Sequence, residues 1–193
     1  MIPSFLRTSL LLASVMPILP GSLSLEAQQG HSVSVGVNYT YVRTNLVPSC
    51  NCFHLNGGGA EVQVDLRSRL SLVGDLTATH AGDITANHYD LTQITYIGGL
   101  RYSTALRRHL LPFGDVLVGG AHTSGTLSPG VTGFGSSNAF AFQTGGGLGV
   151  PLGERWTLVP FRAAYMLTTF SNGQADRQND LRLSAGLRFR LSK

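Results

Sequence analysis

The segment 181–191 reads LRLSAGLRFRL, and it constrains the fold more than any other feature of the chain. Leu181, Leu183, Ala185, Leu187, Phe189 and Leu191 fall on one side of an extended backbone. Arg182, Ser184, Gly186, Arg188 and Arg190 fall on the other. Successive side chains of a strand point to opposite faces, so strict alternation specifies a strand with one apolar face.

The same period recurs along the chain. In 32–42, Val33, Val35, Val37, Tyr39 and Tyr41 oppose Ser32, Ser34, Gly36, Asn38 and Thr40. In 60–67, Ala60, Val62, Val64 and Leu66 oppose Glu61, Gln63, Asp65 and Arg67. Segment 72–79 sets Leu72, Leu76 and Ala78 against Asp75, Thr77 and Thr79; segment 92–102 sets Ile94, Tyr96, Leu100 and Tyr102 against Gln93, Thr95 and Arg101. Residues 113–121 alternate less cleanly, with Val116 and Val118 opposite Asp115. Phe140, Phe142, Leu148 and Val150 oppose Gln143 and small residues, and Phe161, Ala163, Tyr165 and Leu167 oppose Arg162. The pattern predicts about eight strands, long for a soluble sheet.

The links have a rhythm of their own. Those at 46–58, 80–90, 122–138 and 171–180 are longer on average than those near Ser68–Arg69, at 103–111 and around Gly153–Glu154. Short turns at one end and long loops at the other are the asymmetry of an up-and-down barrel in an outer membrane. Charged residues make up only 12% of the chain, about half the soluble average, with lysine at Lys193 alone. The net charge of +4 comes from arginines spread along strands, without the basic cluster and aromatic platform of a nucleic-acid binder. The beginning of the chain, with Arg7, a mostly apolar stretch from Leu10 to Leu19 and a small residue at Ala27, predicts a secretory signal over 1–27 and one domain over 28–193. Export would permit disulfides.

Alternation alone does not say which face looks outward, since a soluble lipocalin-like barrel alternates too. Three features favour apolar outside. The polar face carries Glu61, Asp65, Arg67, Asp75, Arg101, Arg162, Arg182 and Arg188, whose opposite charges can pair inside a narrow tube. The runs Gly98–Gly99, Gly119–Gly120 and Gly145–Gly147 suit curved strands around a crowded interior. Aromatics such as Tyr39, Tyr41, Tyr102, Trp156 and Phe189 gather near strand ends, as membrane-interface belts require.

Several stretches also carry a resemblance: CNCFHLNGGGAEV at 50–62, PFGDVLVGGAH at 112–122, NAFAFQTGGGLGVPL at 138–152, and AAYMLTTF followed by RQNDLRLSAGLRFRL within 163–191. In order and spacing they resemble the small outer-membrane β-barrel domain proteins related to the OmpA transmembrane domain, most of all exported barrels of acidobacterial type. The resemblance implies fold and location, and little about activity. Strand 181–191 also resembles the C-terminal signal read by barrel-insertion machinery, though the chain continues past Phe189 to Lys193.

Candidate chemistry is sparse. Cys50 and Cys52 lie one residue apart with His54 beyond. An intrachain disulfide, free thiols and a metal shared with His54 are all open, and the small ring of a bridge would be strained. Asn56-Gly57 predicts a turn before strand two. His122 and Ser124 have the spacing of a histidine-activated hydroxyl in barrel enzymes that deacylate lipid A; Asp83 or Asp90 would have to supply the orienting acid. His54, His80, His88 and His122 are expected in or beside outer loops, dispersed rather than clustered on a metal. Gly145–Gly149 lacks the strand–loop–helix context of a phosphate loop.

The reading is an eight-stranded antiparallel transmembrane barrel with a packed polar interior. It has no cofactor, is monomeric, contacts outer-membrane lipids and presents its loops to an unknown extracellular partner. A narrow solute pore, a lipid-modifying enzyme and a soluble lipocalin-like binder are the alternatives.

Overall fold

The computed structural model describes residues 32–44, 53–84, 88–106, 109–126, 135–171 and 176–191. Among them, no helix is long and apolar enough to cross a membrane. The elements are β1 (Val33–Thr44), β2 (Phe53–Asp65), β3 (Leu70–Ile84), β4 (Tyr89–Ser103), β5 (Leu111–Gly125), β6 (Gly135–Pro151), β7 (Trp156–Thr168) and β8 (Gln178–Arg190). Each pairs antiparallel with its sequence neighbours, and β8 closes on β1, so all eight form a closed barrel in chain order. Closure leaves no unpaired sheet edge. Residues 1–31 and 45–52 lie outside the described residues, and the expected signal peptide and both cysteines, Cys50 and Cys52, fall there.

The ladder fixes how far the strands are staggered. Cα partners run from Val33 to Val64, Leu72, Leu100, Val116, Thr144, Tyr165 and Leu181, and return to β1 at Arg43. One circuit therefore climbs ten residues, a little over one per strand. Strand number and stagger together set the tilt and bore of a barrel, and eight strands leave an interior just wide enough for side chains.

Sidedness follows the alternation. Val37, Tyr39, Val62, Leu72, Leu76, Leu100, Val116, Val118, Phe140, Phe161, Leu181 and Leu187 point outward and are exposed. Their counterparts Thr40, Glu61, Asp75, Thr77, Arg101, Asp115, Gln143, Arg162 and Arg182 are buried in the lumen. The outer wall is apolar and the lumen polar, the reverse of a soluble barrel. The glycines have a local cause: a Cβ on Gly120 would lie 2.5 Å from the Tyr96 ring, which covers that point of the wall. A Cβ on Gly147 would come within 2.7 Å of Phe113 Cζ inside.

At the short-link end, Leu66–Arg67 and Leu70 close a tight turn through backbone hydrogen bonds, and Gly153 takes a positive φ of 116° in the β6–β7 turn. The β7–β8 register shifts between Val159 and Arg162, where Pro160 can donate no ladder bond. At the long-link end the strands run further than the sequence pattern predicts. β2 begins at Phe53, β3 continues to Ile84, β5 continues to Gly125 and β8 begins at Gln178. Asn56-Gly57 is therefore not a turn: both residues pair with Tyr41 and Thr40 on one side and with His80 and Thr79 on the other.

An apolar outer wall gives a quantitative expectation. Val116→Arg, which places a guanidinium on the outward face near mid-barrel, should lower folding stability in lipid vesicles by about 2–4 kcal/mol. Reversible denaturant titration by tryptophan fluorescence measures it, and a loss below about 0.5 kcal/mol would contradict the assignment of the outer face.

Candidate functional site

The middle of the lumen holds a network of ionised side chains drawn from six strands. Arg101 on β4 is fully buried and forks onto Glu61 of β2, with Nη1–Oε1 and Nη2–Oε2 both at 2.6 Å. The same guanidinium donates to Asp115 of β5 from Nε at 3.1 Å and from Nη2 at 2.8 Å. It also donates to Gln63 Oε1 at 3.2 Å. Charge-assisted, bidentate geometry of this kind is the strongest form a protein ion pair takes. Arg162 on β7 reaches Glu61 at 3.4 Å, Asp75 at 3.3 Å and Asp115 at 3.0 Å. Arg182 on β8 binds Asp75 at 3.0 Å, Gln143 Oε1 at 3.0 Å and the Thr77 hydroxyl. Arg188, lower on β8, reaches Glu61 at 3.1 Å.

One aromatic ring belongs to this network. The Arg101 guanidinium carbon lies 4.4 Å from the Phe113 centroid, and that of Arg188 lies 5.8 Å from it. A cation over an aromatic face gains further attraction when both are withdrawn from water. The glycine at Gly147 is what lets the Phe113 ring lie there.

The two ends of the lumen differ. Toward the long-link end, Val42, Leu55, Ala81, Ile84, Leu91, Ala121, Ala141, Met166 and Phe170 pack together as an apolar seal, with Phe53, Tyr89 and Ala139 against it. Toward the short-turn end the lumen opens into a vestibule of about 760 Å³, lined among others by Ser34, Gln63, Asp65, Phe113 and Arg188. The interior is thus not polar throughout, as the sequence pattern predicts: its outer third packs this apolar cluster together with buried Thr44, Thr79, Gln93, Thr123, Thr168, Gln178 and Asp180.

The expected interior charges distribute unevenly. Glu61, Asp75, Arg101, Arg162, Arg182 and Arg188 come together in the network. Asp65 sits below it on the vestibule wall, accepting from Gln63 and Ser71 at 2.8 Å each. Arg67 is not in the lumen: it is exposed in the β2–β3 turn, because the strand ends at Asp65. Two buried acids escaped the sequence reading. Asp115 was visible opposite Val116 and Val118 but sat in a glycine-diluted segment, and it pairs on the ladder with Arg101. Asp180 lies in a stretch that reads as a polar loop and is 1% exposed on β8.

His122 and Ser124 are on β5, on the outward face beyond the apolar wall. The His122 ring bonds to Asn138 Oδ1 through Nδ1 at 2.8 Å. Asp83 pairs with His88 at 2.9 Å. Asp90 takes the Thr126 hydroxyl at 2.8 Å and the Thr126 N–H at 3.3 Å, which hold its carboxyl below the usual range. Neither acid is bonded to His122 in this arrangement. His54 and His80 are also outward strand residues, not loop residues: His54 Nδ1 bonds the Tyr41 hydroxyl at 2.6 Å and His80 Nδ1 bonds Thr92 at 3.0 Å. Among the described residues there is no cluster of His, Cys, Asp and Glu that could hold a metal ion.

A model of the outer membrane protein beta-barrel domain family matches residues 8–189. The chain belongs to that family. Its lipid-facing wall and ionic lumen are therefore those of an outer membrane barrel, with the long links on the outer side and the short turns toward the periplasm. Among solved structures, the fold resembles Ail, the attachment invasion locus protein of Yersinia pestis (TM-score 0.59, 13% identity, 83% of this chain and 99% of Ail). It resembles Neisserial surface protein A (TM-score 0.60, 12% identity, 84% and 97%) and OprG from Pseudomonas aeruginosa (TM-score 0.52, 9% identity, 83% and 96%). At these identities the likeness is one of fold. No curated protein sequence matches the chain.

The network predicts a sharp contrast between two arginines. Arg101→Ala leaves Glu61 and Asp115 buried beside a missing cation, and should cost about 3–5 kcal/mol in denaturant titration of the vesicle-inserted barrel. Arg67→Ala, in an exposed turn, should cost less than about 0.5 kcal/mol. Equal losses at the two positions would contradict the assignment of the network.

Proposed function

We propose that this outer membrane barrel acts through its outer rim, as a structural and surface-interaction protein, rather than as a conduit. The observation that carries this reading is the double obstruction of the lumen. A network of mutually bonded side chains fills the middle, and the apolar seal around Leu55, Leu91 and Phe170 lies above it. A solute crossing the barrel would have to break ion pairs in a dry environment, at a cost of several kcal/mol, and then displace the packed side chains of the outer end.

The shape of the outer end supports the same reading. β3, β5 and β8 carry polar residues past the apolar wall, so the rim stands as ordered sheet above the membrane. Ail, which shares the fold, is an attachment and invasion locus protein and has also been solved with the heparin analogue sucrose octasulfate. An attachment role for the present chain is in keeping with that precedent. The final strand, with Phe189 close to its end, suits recognition by barrel-insertion machinery, and the outward wall suits direct contact with membrane lipids. Catalysis at His122 and Ser124 has less support, because the ring is engaged by Asn138, an amide that supplies no negative charge to a protonating imidazole.

Purified barrel in planar bilayers should be electrically silent over the voltages at which open barrels of other proteins conduct. Discrete, reproducible current steps from a heat-modifiable monomer band would overturn this reading and favour the narrow pore.

A further inference from the structure

The barrel closes where β8 meets β1, and the ladder of that seam stops at the Arg43–Leu181 pair. One step beyond it, Thr44 stands beside Asp180. On the other side of β8, Asp180 is the ladder partner of Met166, and Gln178 is the partner of Thr168. Thr44, Thr168, Gln178 and Asp180 therefore sit together on three adjacent strands. Their side chains face the lumen, and none of the four is more than 1% exposed. Residues directly opposite each other on such strands have Cβ atoms about 4.5–5.5 Å apart, close enough to share one ligand.

The oxygens of this group lack protein partners. Among the described residues, neither carboxylate oxygen of Asp180 completes a hydrogen bond, nor do the hydroxyls of Thr44 and Thr168 or Oε1 of Gln178. The Thr44 hydroxyl lies near the carboxylate without completing a bond to it. Gln178 Nε2 donates to the Phe170 carbonyl at 3.3 Å, which anchors the amide and leaves Oε1 unbonded. Arg182 is two residues along on the same face, but its terminal nitrogens are engaged elsewhere. Nη1 donates to Gln143 at 3.0 Å, and Nη2 donates to Asp75 at 3.0 Å and to the Thr77 hydroxyl. The buried neighbours Met166 and Phe170 bring no charge. An unpartnered buried polar group is costly, and an unpartnered carboxylate more so. Five oxygens that together carry one negative charge are the donor set of a hard cation.

We propose that Thr44, Thr168, Gln178 and Asp180 form a binding site for a hard cation of the calcium type at the outer end of the lumen. Calcium accepts roughly six to eight oxygens in a flexible arrangement. The carboxylate supplies two, the hydroxyls and the amide oxygen supply three more, and water completes the shell. A single carboxylate sets weak affinity, of the order of 1 mM, as in extracellular calcium modules. A cation held there neutralises the buried charge and bridges β7, β8 and β1. It clips the closing seam at the height where the backbone ladder of that seam ends. The site lies inside the lumen, so it stands whether or not the rim engages a partner.

The test uses the full barrel refolded into phosphatidylcholine vesicles, whose headgroups carry no net charge, after a chelator has removed divalent ions. Equilibrium urea titration is compared at fixed ionic strength with the chelator and with about 10 mM free calcium. A ligand that binds the folded state alone multiplies the folding equilibrium constant by one plus its concentration over its dissociation constant, so the native constant should rise about tenfold. Asp180→Asn keeps the shape and removes the charge. It should fold at least as well as the native barrel in the chelator and show no calcium response. Thr168→Val removes one ligand oxygen at similar volume and should cut the response at least about twofold. A native constant that moves less than about twofold with calcium would overturn the proposal. So would a full calcium response in a folded Asp180→Asn barrel or, should that variant not fold, in Thr168→Val. A native barrel stabilised by acid and unmoved by calcium would give the carboxylate a proton in place of a metal, and would overturn it as well. Heat-modifiable gel migration of each sample shows separately whether the barrel itself has formed.

Discussion

The bidentate contact of Arg101 with Glu61, shared with Asp115, is the interaction on which the rest of the structure depends. A guanidinium and two carboxylates at mid-membrane depth would each cost many kcal/mol if unpaired. Together they tie β2, β4 and β5 into one cluster, and Arg162, Asp75 and Arg182 extend it to β7, β3 and β8. Side chains alternate with period two, so a one-residue slip of any of these strands would carry a charge from the lumen into lipid. The network thus specifies register as well as filling space. The apolar wall follows as its complement, since every residue between two lumen-facing charges must face hydrocarbon.

The proposed surface role rests on how the lumen is divided. Among the described residues, ionic packing occupies the middle, tightly packed apolar and polar side chains fill the outer end, and a vestibule opens at the short-turn end. What remains available outside is the rim, where ordered strands project past the lipid-facing wall. The rim carries tyrosine hydroxyls bonded to polar partners at Asn56, His54 and Asn179. These bonds tie the aromatic girdle to polar neighbours on the rim, which gives the boundary between wall and rim a definite geometry.

Much of this was legible in the sequence, for a physical reason. Period two survives wherever both faces are chemically distinct, as in 32–42 and 181–191, and it located both strands and lumen charges such as Glu61 and Arg101. It failed where composition blurred the contrast. Gly114, Gly119 and Gly120 thin the pattern of β5, and Asp115 went unrecognised as the second carboxylate on Arg101. Turn chemistry misled at Asn56-Gly57, because the glycine-rich start of β2 is clamped by partners on both sides. Arg67 looked like a lumen charge because the alternation continues one step beyond the last paired residue. The sequence placed His54, His80 and His122 in or beside the outer loops; that they stand on the outward face of extended strands depends on how far the ladder runs past the apolar wall, which the closed sheet decides.

The central claim is that the strand faces bearing the charged network look into the lumen and the alternate faces look into lipid. Collision accessibility of single spin labels along β3 in vesicles, on a Cys50→Ser, Cys52→Ser background, tests it most directly. The account predicts that labels at Leu72, Gly74, Leu76 and Ala78 relax strongly with lipid-dissolved oxygen, while those at Val73 and Thr79 are shielded from it. The opposite phase, with Val73 and Thr79 in contact with oxygen and the even-numbered positions shielded, would contradict it.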